Sequence, residues 1–262
     1  MNKRWISIFK KLFVTNAKEF LRDFRPLFSS VMMPALFLVI FGLVRIYVQK
    51  KGASEQGATI DGPDYFLFIM PALLALGLVN LSLFGTALAL VTDKDKGVFR
   101  QYLLIPMPLS ALMAAHVAVR LVVAMLQGGV LMVTAVVFFG VPLKGNIFEL
   151  AVIYAACAVA MITCGYALAG LVGSMPTANA IFGVLSFYIM GFGQIFTDMR
   201  GIPIAKWLIY TTPASSVSDL LRQIFLGRWA NLSIGANLAI LSGWVLIAYW
   251  VGIRKFRFQP EQ

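Results

Sequence analysis

Six stretches of this sequence, 27–48, 65–91, 117–141, 147–173, 179–197 and 236–253, are apolar over lengths close to the roughly 20 residues that carry an α-helix across a bilayer. This constrains the fold most strongly, because backbone polar groups in hydrocarbon must find their partners inside the spanning element, and a single run does so only as a helix. The remainder of the chain agrees: 60% of its 262 residues are hydrophobic and 13% are charged, with a mean hydropathy of +0.85. The expected fold class is all-α transmembrane. Six helices form one bundle over 27–253, preceded by residues 1–26 and followed by a basic tail at 254–262, and the whole of 1–262 is one membrane domain. No internal repeat or low-complexity linker divides it.

Lysine and arginine outnumber aspartate and glutamate by 22 to 11, but the excess lies in short segments between the apolar runs. That distribution excludes a solvated basic domain for nucleic acid. Six spans put both termini on one side. There the basic residues of 1–26, with Lys94, Lys96, Arg100, Arg120, Arg254, Lys255 and Arg257, outnumber Arg45, Lys50, Lys51, Lys144, Arg200, Lys206, Arg222 and Arg228 on the other. The positive-inside rule then makes both ends cytoplasmic, in an inner or plasma membrane. Residues 1–25 lack the layout of a cleaved secretory leader. Instead Trp5, Ile8, Phe9, Leu12 and Phe13 recur at helical spacing, with Lys3, Arg4, Lys10, Lys11, Lys18, Arg22 and Arg25 mostly on other faces. This predicts an amphipathic helix among lipid headgroups, with Trp5, Phe9, Lys10 and Lys11 as interfacial residues. Arg120, at the entrance of the third run and one turn from His116, is expected to be interfacial too. The pair either snorkels to the headgroups or meets a lipid phosphate or a partner protein.

Inside the runs, Gly165, Ala169 and Gly173, and likewise Ala156, Ala160 and Cys164, make two small-residue ridges that let another helix approach closely. Pro34, Pro71 and Pro176 are read as interruptions of spans. Asn80, Gln127 and Gln194 are the polar residues nearest mid-span, fit either to line a pathway or to hydrogen-bond between helices. The stretch from Asp198 to Asn237 is too polar to cross. Its apolar pieces at 204–210 and 217–226, bounded by Pro203, Pro213 and Gly227, predict two short helices dipping into the outer leaflet, with Asp219 and Arg222 paired one turn apart.

Several chemistries are excluded. Cys157 and Cys164 share one apolar run, which offers no disulfide framework, and the single histidine, His116, removes His-clustered metal sites and Ser/His/Asp catalysis. No metal site or cofactor of this chain is expected. No Gly-Lys dipeptide occurs, so the chain cannot cradle ATP in a phosphate loop. Glu149 and Asp198 sit at span ends and the other acids lie in loops, which disfavours ion-coupled transport. The chain is not read as an enzyme.

One connection stands out, between the second and third runs: Asp93, Lys94, Asp95, Lys96, Gly97, Val98, Phe99, Arg100, Gln101, Tyr102, Leu103, Leu104, Ile105 and Pro106. A charged start, a glycine and apolar residues at helical spacing predict a short helix that docks its apolar side. In this segment the chain resembles the membrane permeases of type-2 ATP-binding cassette exporters, particularly their drug-resistance branch. Asp93, Lys94, Asp95, Gly97, Leu103 and Pro106 match that pattern in type, while Val98, Arg100, Tyr102 and Ile105 depart from it. The stretch from Thr212, Pro213 and Ala214 to Asp219, Leu220, Leu221 and Arg222 resembles the one those permeases carry before their last span. The resemblance implies a half-transporter. Two permease subunits, copies or paralogues, would sit in membrane lipid above a cytoplasmic ATPase dimer that binds ATP and magnesium. Asp93, Asp95, Gly97, Phe99, Leu103 and Pro106 would couple to that ATPase, and Pro213, Asp219 and Arg222 would serve the outer region. The implied cargo is a lipophilic or amphiphilic molecule, drug or lipid. The alternatives are a polysaccharide or glycolipid exporter, a membrane anchor for an ATPase, and a stand-alone channel.

Overall fold

The computed structural model describes residues 3–22, 28, 32–50, 64–98, 109–140, 146–192, 212–226 and 232–255. All regular structure among them is helical. In chain order the helices are α1 (Lys3–Arg22), α2 (Met33–Lys50), α3 (Asp64–Asn80), α4 (Ala89–Asp95), α5 (Leu109–Phe139), α6 (Ile147–Leu171), α7 (Met175–Phe192), α8 (Pro213–Leu226) and α9 (Ile234–Lys255). A π-helical stretch, Leu81–Leu88, joins α3 to α4 without a break, so that the three pieces form one rod.

Five of the described helices are long and apolar enough to cross a membrane: Ile69–Asp95, Ala111–Phe139, Ile147–Leu171, Met175–Phe192 and Ile234–Gly252. The first expected run is represented by a shorter apolar helix, Met33–Val44. The rod through α3 and α4 is the centre of the bundle. Ile69–Asp95 is the most buried of the five, and Met70, Leu73, Leu74, Leu78, Leu81 and Leu83 on it are inaccessible or nearly so. Around it pack α2, α5, α6, α7 and α8. On α5 the residues Leu112, Val119, Ala124, Gln127, Leu131 and Ala135 face inward, while Val122, Leu126, Val130, Val133 and Val137 form an exposed apolar stripe. The outward face is apolar, as a lipid-bathed helix requires, and the polar residues Gln127, His116 and Arg120 are on the buried side.

Local chemistry ends the helices where they end. α5 stops at Gly140, which adopts φ +63° and donates its N–H to Val136 O at 3.1 Å, the left-handed close that glycine adopts without strain. Asn146 begins α6 by accepting from Phe148 N at 3.0 Å. Ser174 precedes α7, with Ser174 Oγ and Thr177 Oγ1 2.9 Å apart. Pro176 is the second residue of α7, where its missing N–H would be unsatisfied in any case, so it begins that helix rather than interrupting it. Pro71 does lie inside a helix, α3.

Two boundaries differ from expectation. α5 begins at Leu109, not near 117, because Ala111, Leu112, Ala115, His116 and Arg120 are all buried against neighbouring helices and prolong the packed face by two turns. Asp93 and Asp95 are not the start of a separate docking helix. They form the last turn of the central rod, whose 27-residue apolar span reaches about 40 Å, longer than the roughly 30 Å of hydrocarbon.

The small-residue ridge on α6 is used over part of its length. A Cβ on Gly165 would lie 2.6 Å from Ser82 O and 3.2 Å from Thr86 Cβ, which places α6 directly on the π-helical stretch. Ala160 and Ala169 are buried with it, whereas Ala156 and Gly173 are exposed. On the same helix, Cys164 and Ala167 pack with Ala248 of α9.

Candidate functional site

At the end of the bundle where α4 finishes and α5 begins, α1 closes over the gap. Its inner face is Phe13, Asn16, Ala17 and Phe20, one helical stripe packed against α5 and the core. Trp5 stacks on Phe9 with centroids 5.4 Å apart, and Phe9 meets Phe13 at 6.2 Å, while Lys10 and Lys11 are exposed. The amphipathic helix read from the sequence is therefore present, with its lysines outward and its aromatic ladder on one side.

Beneath α1 lies a cavity of about 710 Å³, bounded by Asn16, Glu19, Phe20, Thr92, Asp93, Lys96, His116, Arg120 and Asn179 among others. Arg120 Nη1 lies 3.3 Å from His116 Nδ1 and 3.5 Å from His116 O. A guanidinium has only donors, so His116 Nδ1 is the acceptor and the imidazole proton sits on Nε2. Arg120 is 5% exposed. The one-turn spacing from His116 folds the guanidinium onto that histidine and into the bundle.

The residues expected to couple to an ATPase divide between described and undescribed positions. Asp93 and Asp95 end the central rod, and Thr92 Oγ1 donates to Leu88 O at 2.8 Å just before them. Lys96 N donates to Thr92 O at 3.0 Å and Gly97 N to Lys94 O at 3.1 Å, with Gly97 at φ +71°. The rod is thus closed by a glycine in the left-handed region, and the chain leaves it at a fixed angle. Phe99, Leu103 and Pro106 lie outside the described residues, as does Gln194.

Deeper in the bundle, Asn80 and Gln127 are buried. Gln127 is inaccessible, its amide rests on Gly77 of α3, and neither amide atom has a hydrogen-bond partner among the described residues. A second, apolar cavity of about 400 Å³ opens between α5 and α6, lined by Leu74, Met125, Met132, Val136, Leu150 and Tyr154 among others.

At the opposite end, Pro213 takes the first position of α8, where its fixed φ suits a helix start. Ala214, Val217, Leu220 and Leu221 are buried, and α8 packs chiefly on α3 and α9. Asp219 Oδ2 accepts from Leu232 N at 3.0 Å and from Asn237 Nδ2 at 2.8 Å, pinning α8 to the start of α9. Arg222, one turn on, is buried beside it in sequence. The companion apolar piece at 204–210 lies outside the described residues.

A family model described as ABC-2 type transporter matches residues 8–226. The chain belongs to the ABC-2 type transporter family. The match begins within the first turns of α1 and ends at the last residue of α8, so in this ABC-2 transporter chain the cavity, the turn at Gly97 and the α8 helix all lie inside it. The family is one of membrane transport subunits that are in general not catalytic themselves, and it associates in general with an ATP-binding cassette ATPase. No curated protein matches the chain.

Two residues that shape this ABC-2 subunit escape a sequence reading focused on charge. Asn16 was hidden by its small polar side chain, although its place in the Phe13, Asn16, Ala17, Phe20 stripe marks it as inward-facing. Asn237 opens a span, where a lone amide looks like a boundary residue. Only the fold shows that it serves Asp219.

Proposed function

We propose that this chain is the permease half of an exporter that moves a lipophilic or amphiphilic molecule, drug-like or lipid-like, out of the cytoplasm or the inner leaflet. Two such subunits assemble over a separate cytoplasmic ATPase dimer, which supplies the ATP and magnesium chemistry. The 93–106 segment receives the ATPase, and both termini face the cytoplasm of an inner or plasma membrane. The observation that carries this reading is the continuous central rod: Asp93 and Asp95 stand at one end of the helix that forms the most buried part of the bundle. A push on that end is delivered to the core without passing through a flexible joint, because α3, the π-helical stretch and α4 are unbroken.

The cargo assignment follows from the wall chemistry. The cavity between α5 and α6 is lined almost wholly by apolar side chains, which suits a greasy solute better than an ion. Six crossings are supported by the five long apolar helices and the shorter Met33–Val44. α8 belongs to the outer re-entrant element.

The test is purification from the native membrane in mild detergent, followed by mass identification and an ATPase assay. A cassette ATPase recovered at about one copy per permease, with turnover that responds to lipophilic compounds, is the expected result. Changing Phe99 and Leu103 to Asp together should abolish that response while the protein still inserts. Normal transport in the folded double variant, or a permease that remains alone, would overturn the reading.

A further inference from the structure

Arg120 presents an unusual balance of charge. It is 5% exposed, its hydrogen bonds among the described residues go only to His116, and no described carboxylate pairs with it. A buried cation without an anion is expensive, by several kcal/mol in general, so such sites either take a counter-charge or do not persist. Asn16, across the same cavity and 4% exposed, has neither Oδ1 nor Nδ2 hydrogen-bonded, and Arg120 Nε is also without a partner. The two residues that carry these three unpartnered atoms, on two helices, both line one cavity of about 710 Å³.

Depth identifies the occupant. α5 has 31 residues and so is about 46 Å long, some 16 Å more than the hydrocarbon. Its far end is apolar and open, with Phe138 77% exposed, which places the excess at the end that carries the cavity. Arg120 lies 11 residues from Leu109, about 16 Å in, and so sits at the hydrocarbon boundary, the level of lipid phosphates. The mouth of the cavity carries the exposed Glu19 and Lys96 and the half-buried Asp93, a wall of both signs, whereas the described buried end carries only the cation.

We propose that the cavity bounded by Asn16, His116 and Arg120 binds the phosphate of a phospholipid headgroup, with a zwitterionic head whose ammonium points toward the Glu19 mouth. Arg120 supplies a charge-assisted donor, Asn16 Nδ2 a second donor, and His116 holds the guanidinium in place through Nδ1. This lipid need not be the cargo. It would seal α1 to α5 from beneath, so the site is separable from the export reading, and its test requires neither the ATPase nor transport.

The probe is dioleoyl phosphatidylethanolamine, titrated into the delipidated full-length chain in detergent and followed by native mass spectrometry. Dioleoylglycerol serves as the phosphate-free control. The wild-type chain should bind the phospholipid at least about tenfold more tightly than the glycerolipid, the scale of one charge-assisted hydrogen bond. Arg120→Gln and Asn16→Asp, on separate helices, should each lower that affinity by about tenfold or more, with folding checked by tryptophan fluorescence. Inorganic phosphate that binds equally well, with the same dependence on Arg120, would keep a phosphate site and overturn the lipid as its source. Equal binding of the two lipids by the wild-type chain, or variants that fold and bind as the wild type does, would overturn the site itself.

Discussion

Ser82 Oγ donates a 2.6 Å hydrogen bond to the main-chain oxygen of Met161, joining residues 79 positions apart at the point where α6 crosses the π-helical stretch. The same crossing brings Gly165 onto Ser82 O, and Thr86 Oγ1 returns to Leu81 O at 2.9 Å. A π-helical turn widens the rod and leaves its carbonyls imperfectly matched, and the Thr86 hydroxyl settles on one of them while that of Ser82 reaches across to α6. The crossing is therefore a lock between the central rod and α6, built from one hydroxyl and one missing side chain.

Breaking the lock from each side should give different results. Ser82→Ala removes one interhelical hydrogen bond and should lower stability by about 0.5–1.5 kcal/mol, the range for such bonds in membrane proteins. Gly165→Leu drives a side chain into Ser82 O, a main-chain atom that cannot step aside, and should cost roughly 1–3 kcal/mol. Thermal unfolding of the purified chain in one detergent ranks the two. A Gly165→Leu variant as stable as the wild type would mean that α6 does not cross at this point.

Gln127 and Gly77 are a second close pair. A Cβ on Gly77 would fall on Gln127 Nε2, and Gln127 is inaccessible. Gly77→Ala should therefore destabilise the bundle by about 1–3 kcal/mol, and shortening the amide in a Gly77→Ala, Gln127→Ala double variant should restore part of that loss. The double-mutant cycle in thermal unfolding reads the coupling directly. Losses that simply add would separate the two side chains.

The spans were legible in the sequence because twenty apolar residues in a row have few other destinations. Their ends were less so. His116 and Arg120 look like the edge of a span when each is judged by its own polarity, but in the fold they bond to each other and are buried, and α5 runs on past them to Leu109. The charged Asp93 and Asp95 likewise look like the start of a separate short helix, yet the rod continues through them until Gly97 turns left-handed. The cavity was not legible at all. It depends on Asn16 of α1 and Arg120 of α5 meeting across more than a hundred residues of chain, and no local pattern records that meeting.

Asp219 anchors the far end through Asn237 Nδ2 and Leu232 N. Replacing Asn237 by Leu leaves part of a buried carboxylate without its donor, which should lower stability by about 1–3 kcal/mol. Asn237→Asp, which sets a second carboxylate against the first, should be worse. Both effects are measured by thermal unfolding. Proteolysis of the connection before α9 should rise in parallel, since Leu232 N loses its fixed acceptor geometry when Asp219 moves. An Asn237→Leu chain that melts with the wild type and resists protease would show that α8 is held by its apolar face alone.

Gly97 gives the most direct test of the rod as a lever. It sits at φ +71°, and a Cβ there would meet no described atom within 4 Å, so among the described residues a substitution acts through the backbone and not through a clash. A β-branched residue resists the left-handed region by roughly 1–2 kcal/mol, whereas asparagine tolerates it. Gly97→Val should then change the angle at which the chain leaves Asp95, with little loss of overall stability because the turn lies at the rod's open end. Gly97→Asn should preserve that angle. If the segment beyond Gly97 receives the ATPase, Gly97→Val lowers the cargo-stimulated ATP turnover of the assembled complex severalfold, while Gly97→Asn stays near the wild-type level and both melt close to it. Equal turnover in the two variants would detach the coupling function from this turn. A large fall in melting temperature for Gly97→Val would instead show that the turn supports the bundle.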